Sequence, residues 1–165
     1  MHPQIESIFD EAENRYLKPE ELGVIGQYVE SLPERLEAYS KIRDNEIAVM
    51  QAVADQLQSE FSSAKVEVLE RCIKNALLVL RHCSMGMLLN DFTLIEERLL
   101  NWLVQNIQAY NTQQIDTALY KNLNQKLKQV LSPQQFALLQ PMLHFAEERL
   151  LGQAEASTSA AAIGW

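Results

Sequence analysis

Arg71-Cys72-Ile73-Lys74-Asn75-Ala76-Leu77-Leu78-Val79-Leu80-Arg81, running on to Asn90-Asp91, is the stretch on which the fold turns. From Ala76 to Leu89 the run of apolar and small residues is interrupted by Arg81 and His82. That is longer than a strand and reads as a buried helix. It falls short of the roughly 18–20 uninterrupted apolar residues that span a bilayer. Asn90-Asp91 is a turn signal that closes it. The helix is predicted over about residues 64–89, and it carries Cys72 and, nine positions on, Arg81; Asp91 stands just past its end.

Working outward, every neighbouring segment shows helical spacing. Ile5, Ile8, Phe9 and Ala12 recur at i, i+3, i+4 and i+7, predicting a short amphipathic helix that ends near Tyr16. Pro19 suits the first turn of a second helix, where Glu20 and Glu21 favour the dipole. Ser31-Leu32-Pro33-Glu34 has the form of a capping box, so a new helix is predicted from about residue 33, continuing to Phe61. After Asn90-Asp91, Leu94, Ile95, Leu99, Trp102, Leu103 and Ile107 mark another helix. Asn111-Thr112 breaks it, and Ile115, Leu119, Leu123 and Leu127 begin the next. Ser132-Pro133-Gln134-Gln135 caps the last, which reaches about Leu151 and should kink or divide at Pro141. No segment alternates as a strand does. The expectation is an all-α domain of seven to nine helices over residues 1–151, with a mobile tail over 152–165 that lacks an apolar stripe.

Composition narrows the function classes. The chain has 165 residues, 47% of them hydrophobic, enough for one compact core. A net charge of -8 argues against a nucleic-acid backbone or an anionic membrane surface as partner, since both need clustered Lys and Arg. Cys72 and Cys83 lie about 16 Å apart along one helix and cannot pair. Met1-His2-Pro3-Gln4 has neither the basic end nor the apolar segment of a secretory signal, so a reducing, cytoplasmic compartment is expected. No glycine-rich phosphate loop, nucleophile elbow or metal-binding cysteine pair occurs, and no enzyme activity is expected. Glu96-Glu97 and Glu147-Glu148 read as solvated helix faces, because adjacent helical residues do not face one another. His82 and His144 each stand alone and do not establish a haem or metal site.

Three blocks carry a resemblance. Arg71-Cys72 with Leu80-Arg81 and Asp91, the opening Glu11-Ala12-Glu13-Asn14-Arg15-Tyr16-Leu17 with Glu20-Glu21-Leu22, and Leu94-Ile95-Glu96-Glu97-Arg98-Leu99-Leu100 together resemble the phycobiliproteins. These are globin-like light-harvesting proteins of cyanobacteria and red algae. The likeness spans about residues 5–150. It implies a globin-like body with two extra N-terminal helices. It also implies a non-enzymatic subunit of the phycobilisome, peripheral at most to the cytoplasmic face of the thylakoid.

The same resemblance implies Cys72 as the anchor of a linear tetrapyrrole (bilin), with Lys74, Asn75, Arg81 and Asp91 as pocket residues. Two departures bear on this. Lys74 and Asn75 stand where the family has Arg and Asp, so the carboxylate that would hold the pyrrole nitrogens is missing. The connection before Cys72 is also about ten residues shorter than in pigmented members. Cys72 otherwise reads as a small core cysteine, and Arg81 as a helix-surface ion pair. The stripe Ile5, Ile8 and Phe9 must pack on something to be stable. The resemblance implies a partner subunit or a second copy, with Arg15 in the linking step; the alternative is the chain's own body. Two functions follow: a light-harvesting subunit with a bilin on Cys72, or a bilin-free assembly, repair or regulatory factor that binds other proteins.

Overall fold

The computed structural model describes residues 2–152. The expected tail, from 153 on, lies outside the described residues. Helix α1 spans Pro3–Glu11, α2 Pro19–Glu60 and α3 Val66–Leu89. A third rod joins α4 (Thr93–Ile95), a π-helical turn (Glu96–Leu100) and α5 (Asn101–Tyr110). Helix α6 covers Gln113–Val130, and α7 covers Pro133–Glu147, ending in a second π-helical turn, Glu148–Gly152. No strand occurs among the described residues, and the all-α, globin-like reading holds.

Helix α3 is the centre of the body, packed against α2, α6 and α7. Its Val79, Leu80, Cys83 and Met87 are fully buried, facing a core that includes Leu57, Leu119, Leu123 and Leu139. By length and hydropathy alone this helix could cross a membrane. Its face from Leu69 to Met87 is instead buried in the core. Asn90 ends it in the left-handed region (φ 49°), and the Asp91 N–H returns to the Gly86 carbonyl at 2.9 Å. The expected turn is there.

Three boundaries differ from expectation. Helix α1 stops at Glu11 rather than near Tyr16. Arg15 beyond it donates to both carboxylate oxygens of Glu21 at 2.9 and 2.8 Å, which ties the linker to α2. Helix α2 runs unbroken for 42 residues, so no helix restarts at Pro33. Pro33 is exposed and removes one backbone donor, while Ser31, read as a cap, donates to the Tyr28 carbonyl at 2.7 Å. Helix α7 likewise passes through Pro141 undivided, with that ring at the surface. The second capping box forms as expected: Gln135 N–H donates to Ser132 Oγ, and Ser132 N–H to Gln135 Oε1, both at 3.1 Å.

Candidate functional site

Cys72 sits on the buried face of α3 and is 2% exposed. Its thiol lies within hydrogen-bonding reach of Thr112 and Asp116, at the start of α6. Both partners are buried, and the Thr112 hydroxyl donates to Asp116 Oδ2 at 2.6 Å. Burial, and then the neighbouring Asp116 carboxylate, push the Cys72 thiol up to about 12. Burial also raises the Asp116 carboxyl. The thiolate, the form that attacks electrophiles, is therefore scarce near neutrality. Cys83 is sealed deeper, and burial raises its thiol too.

Of the other sequence-predicted pocket residues, Asn75 shares the Cys72 side of α3, three positions on, while Arg81 and Asp91 lie away from this sulfur. Nine residues are two and a half helical turns, so Arg81 points opposite to Cys72 and lies about 13 Å along the axis. There its Nε and Nη2 donate to the two Glu46 carboxylate oxygens at 2.7 and 2.9 Å. Lys74 is exposed and Asn75 half-buried. Asp91, beyond the C-terminal end of α3, accepts from the Thr93 N–H at 3.0 Å and the Thr93 hydroxyl at 2.6 Å. Burial opposes ionisation of Asp91, but its hydrogen bonds, those from Thr93 among them, and nearby positive charge together hold the carboxyl below its usual value.

Three hollows lie in this part of the molecule, two of them bordered by α3. A cleft of about 330 Å³ between α2 and α3 is lined by Tyr39, Ile42, Glu46, Arg81, Ser84 and Met85. Two more flank Phe61, in the short connection before α3. One, of about 230 Å³, is bordered by Ala64, Val66, Leu69 and Ile73. The other, of about 350 Å³, is bordered by Asn111, Thr112 and Ile115. Neither of these two hollows is lined by Cys72. The residues present do not fit a tethered bilin in this conformation: the sulfur is sealed, and Arg81 and Asp91 are engaged away from it.

At the N-terminus, His2 is buried, edge-on to Tyr28 with centroids 4.7 Å apart, and its Nε2 meets Asn90 Nδ2 at 2.9 Å. Ile8 is 9% exposed and packs on the chain's own body, Ile5 is half-buried, and Phe9 remains 56% exposed. Arg15 is engaged by Glu21. Of the four expected interface residues, Phe9 and Arg15 are exposed. His82 Nδ1 meets the Leu78 carbonyl of its own helix at 2.8 Å, and His144 is exposed beside Glu148. No group of three metal-ligating side chains occurs among the described residues.

Sequence reasoning missed Thr112 and Asp116. A signal was present: Asp116, Leu119, Leu123 and Leu127 share one helical face, so a carboxylate stands in an otherwise apolar stripe. Thr112, four residues earlier, was read as a break and is its donor. Compared with known proteins, residues 9–150 match a family model described as Phycobilisome protein. No curated protein matches the chain.

Proposed function

This chain belongs to the phycobilisome protein family, and from that premise we propose that it works there without a bilin on Cys72. The family is one of structural light-harvesting proteins rather than enzymes. Our reading is an assembly, repair or regulatory subunit on the cytoplasmic side, acting by protein–protein binding. The observation that carries it is the 2% exposure of Cys72, whose thiol lies beside the buried Thr112 and Asp116. Thioether formation needs a thiolate and a path to it. A thiol near 12 holds roughly three orders of magnitude less thiolate at neutral pH than a free cysteine. Lys74 and Asn75 supply no carboxylate in its place.

The bilin-carrying reading rests on the retained Arg71-Cys72 and Leu80-Arg81 block and on the two hollows beside Phe61, which would have to merge to admit a pigment. One experiment separates the two. The chain is expressed with a bilin-synthesis pathway and lyases, then denatured and viewed on a gel for zinc-enhanced fluorescence. We expect a dark band. A fluorescent band that Cys72→Ser abolishes would overturn this reading. Maleimide labelling of the native chain near pH 7.5 should likewise be slow at both cysteines and become fast on unfolding.

A further inference from the structure

We propose that the cleft between α2 and α3 binds a small molecule with an apolar body and one carboxylate head. This goes beyond the proposed function and does not depend on it. Along α2, Tyr39, Ile42, Arg43 and Glu46 lie at i, i+3, i+4 and i+7, so they share one face. Arg81, Ser84 and Met85 do the same along α3, at i, i+3 and i+4. Counted round α3, that face is turned roughly opposite to Cys72, so the cleft is separate from the sulfur and its neighbours. At about 330 Å³ it stands at the small end of ligand pockets, which run from roughly 300 to 1,000 Å³.

Ile42 and Ser84, 5% and 3% exposed, form the floor. The Ser84 hydroxyl donates to the Leu80 carbonyl at 2.7 Å, so the polar atom of the floor is satisfied within its own helix. Tyr39 and Met85 are half-buried walls. Methionine is unbranched and adapts its shape to what lies against it. An apolar floor below a few polar groups is the arrangement that small-molecule sites share.

Charge sets the sign of the head group. The lining carries Arg43 and Arg81 against Glu46 alone, the reverse of a chain whose net charge is -8. Each Glu46 oxygen already accepts from Arg81, so no carboxylate of the lining is free to hold a cation. Among the described residues Arg43 donates only its Nε, to Asp44, and its side chain is 65% exposed. Its two terminal nitrogens are left over, together with Nη1 of Arg81. The planar edge of a guanidinium matches a carboxylate with two parallel hydrogen bonds. Contact with Tyr39, Ile42 and Met85 then takes the apolar body out of water.

The test uses the full chain and three probes followed by titration calorimetry: decanoate, decyltrimethylammonium and acetate. Decanoate should bind once per chain, while the cationic probe and the bare head group should not bind. Arg43→Gln should weaken decanoate about tenfold, the loss expected on removing a charge-assisted hydrogen bond. Arg43 lies at the surface, so this variant keeps the fold. Glu46→Gln should tighten binding, because it frees Arg81 and removes the opposing charge. Met85→Trp should block binding by filling the cleft, with a thermal melt alongside to show that the variant is folded. No binding of decanoate, or equal binding of the cationic probe, would overturn the proposal. Decanoate affinity unmoved by Arg43→Gln or by a folded Met85→Trp would place the probe elsewhere and overturn it too. So would sedimentation of the chain alone as a dimer that Arg81→Glu splits, which would give the cleft to a second copy.

Discussion

Asp116 is the residue at which burial and ionisation compete most directly. Its carboxyl is 2% exposed and accepts from Thr112 at 2.6 Å, yet burial still raises it above the ordinary value of 3.8. A carboxyl raised by folding keeps a proton that the unfolded chain releases. Its stabilising share is therefore whole below the unfolded value and lost as pH rises through the folded one. Asp116→Asn should make the protein more stable than the native chain at pH 7, with the difference shrinking as the medium approaches pH 3.8. Urea titrations at several pH values would read this, and an Asn variant weaker at pH 7 would refute it. Thr112→Val removes the donor and should cost about 1–3 kcal/mol. That a carboxylate belongs to the Asp116 stripe was legible in the sequence. That the stripe faces Cys72 was not, because the contact joins residues more than forty positions apart.

Helix α2 and helix α3 use glycine for opposite reasons. A Cβ added at Gly26 meets nothing within 4 Å, so Gly26→Ala should raise stability by about 0.5–1 kcal/mol through the unfolded chain's lost freedom. At Gly86 the same atom would lie 2.9 Å from Ile95 Cδ1 and 3.0 Å from the Asp91 carbonyl oxygen. That oxygen is backbone and has little room to give, so Gly86→Ala should cost about 1–3 kcal/mol. Denaturant midpoints of the two variants should move in opposite directions; parallel shifts would contradict the packing described. The sequence announced both helices by their periodicity. It misplaced the boundary at Pro33 because a proline pointing to solvent costs α2 one hydrogen bond, which the packing of Ala38, Ile42 and Val49 downstream outweighs.

Over the whole molecule, the acidic arm formed by α1 and the first half of α2 is fastened to the turn that ends α3. His2 is the pin, set among Tyr28, Asn90, Arg35 and Asp91. Burial, and then the Arg35 charge, lower its pKa from 6.5, with Asp91 pulling the other way. A histidine lowered by folding stays neutral in the folded chain while the unfolded chain takes up a proton. The anchorage is thus whole above 6.5 and fades as pH falls below it. Hydrogen-exchange protection over Pro3–Glu11 should drop on that side, and His2→Gln should flatten the dependence; a pH-independent arm would exclude this role. By itself the sequence determined the helical class, the order of the helices, the closing turn at Asn90-Asp91 and the family block around Cys72. All of these depend on local periodicity, capping and spacing. Only the tertiary structure decided that Cys72 faces Asp116 while Arg81 turns to Glu46. A helix fixes which residues share a face, but the faces brought together are chosen by packing between segments distant in the chain.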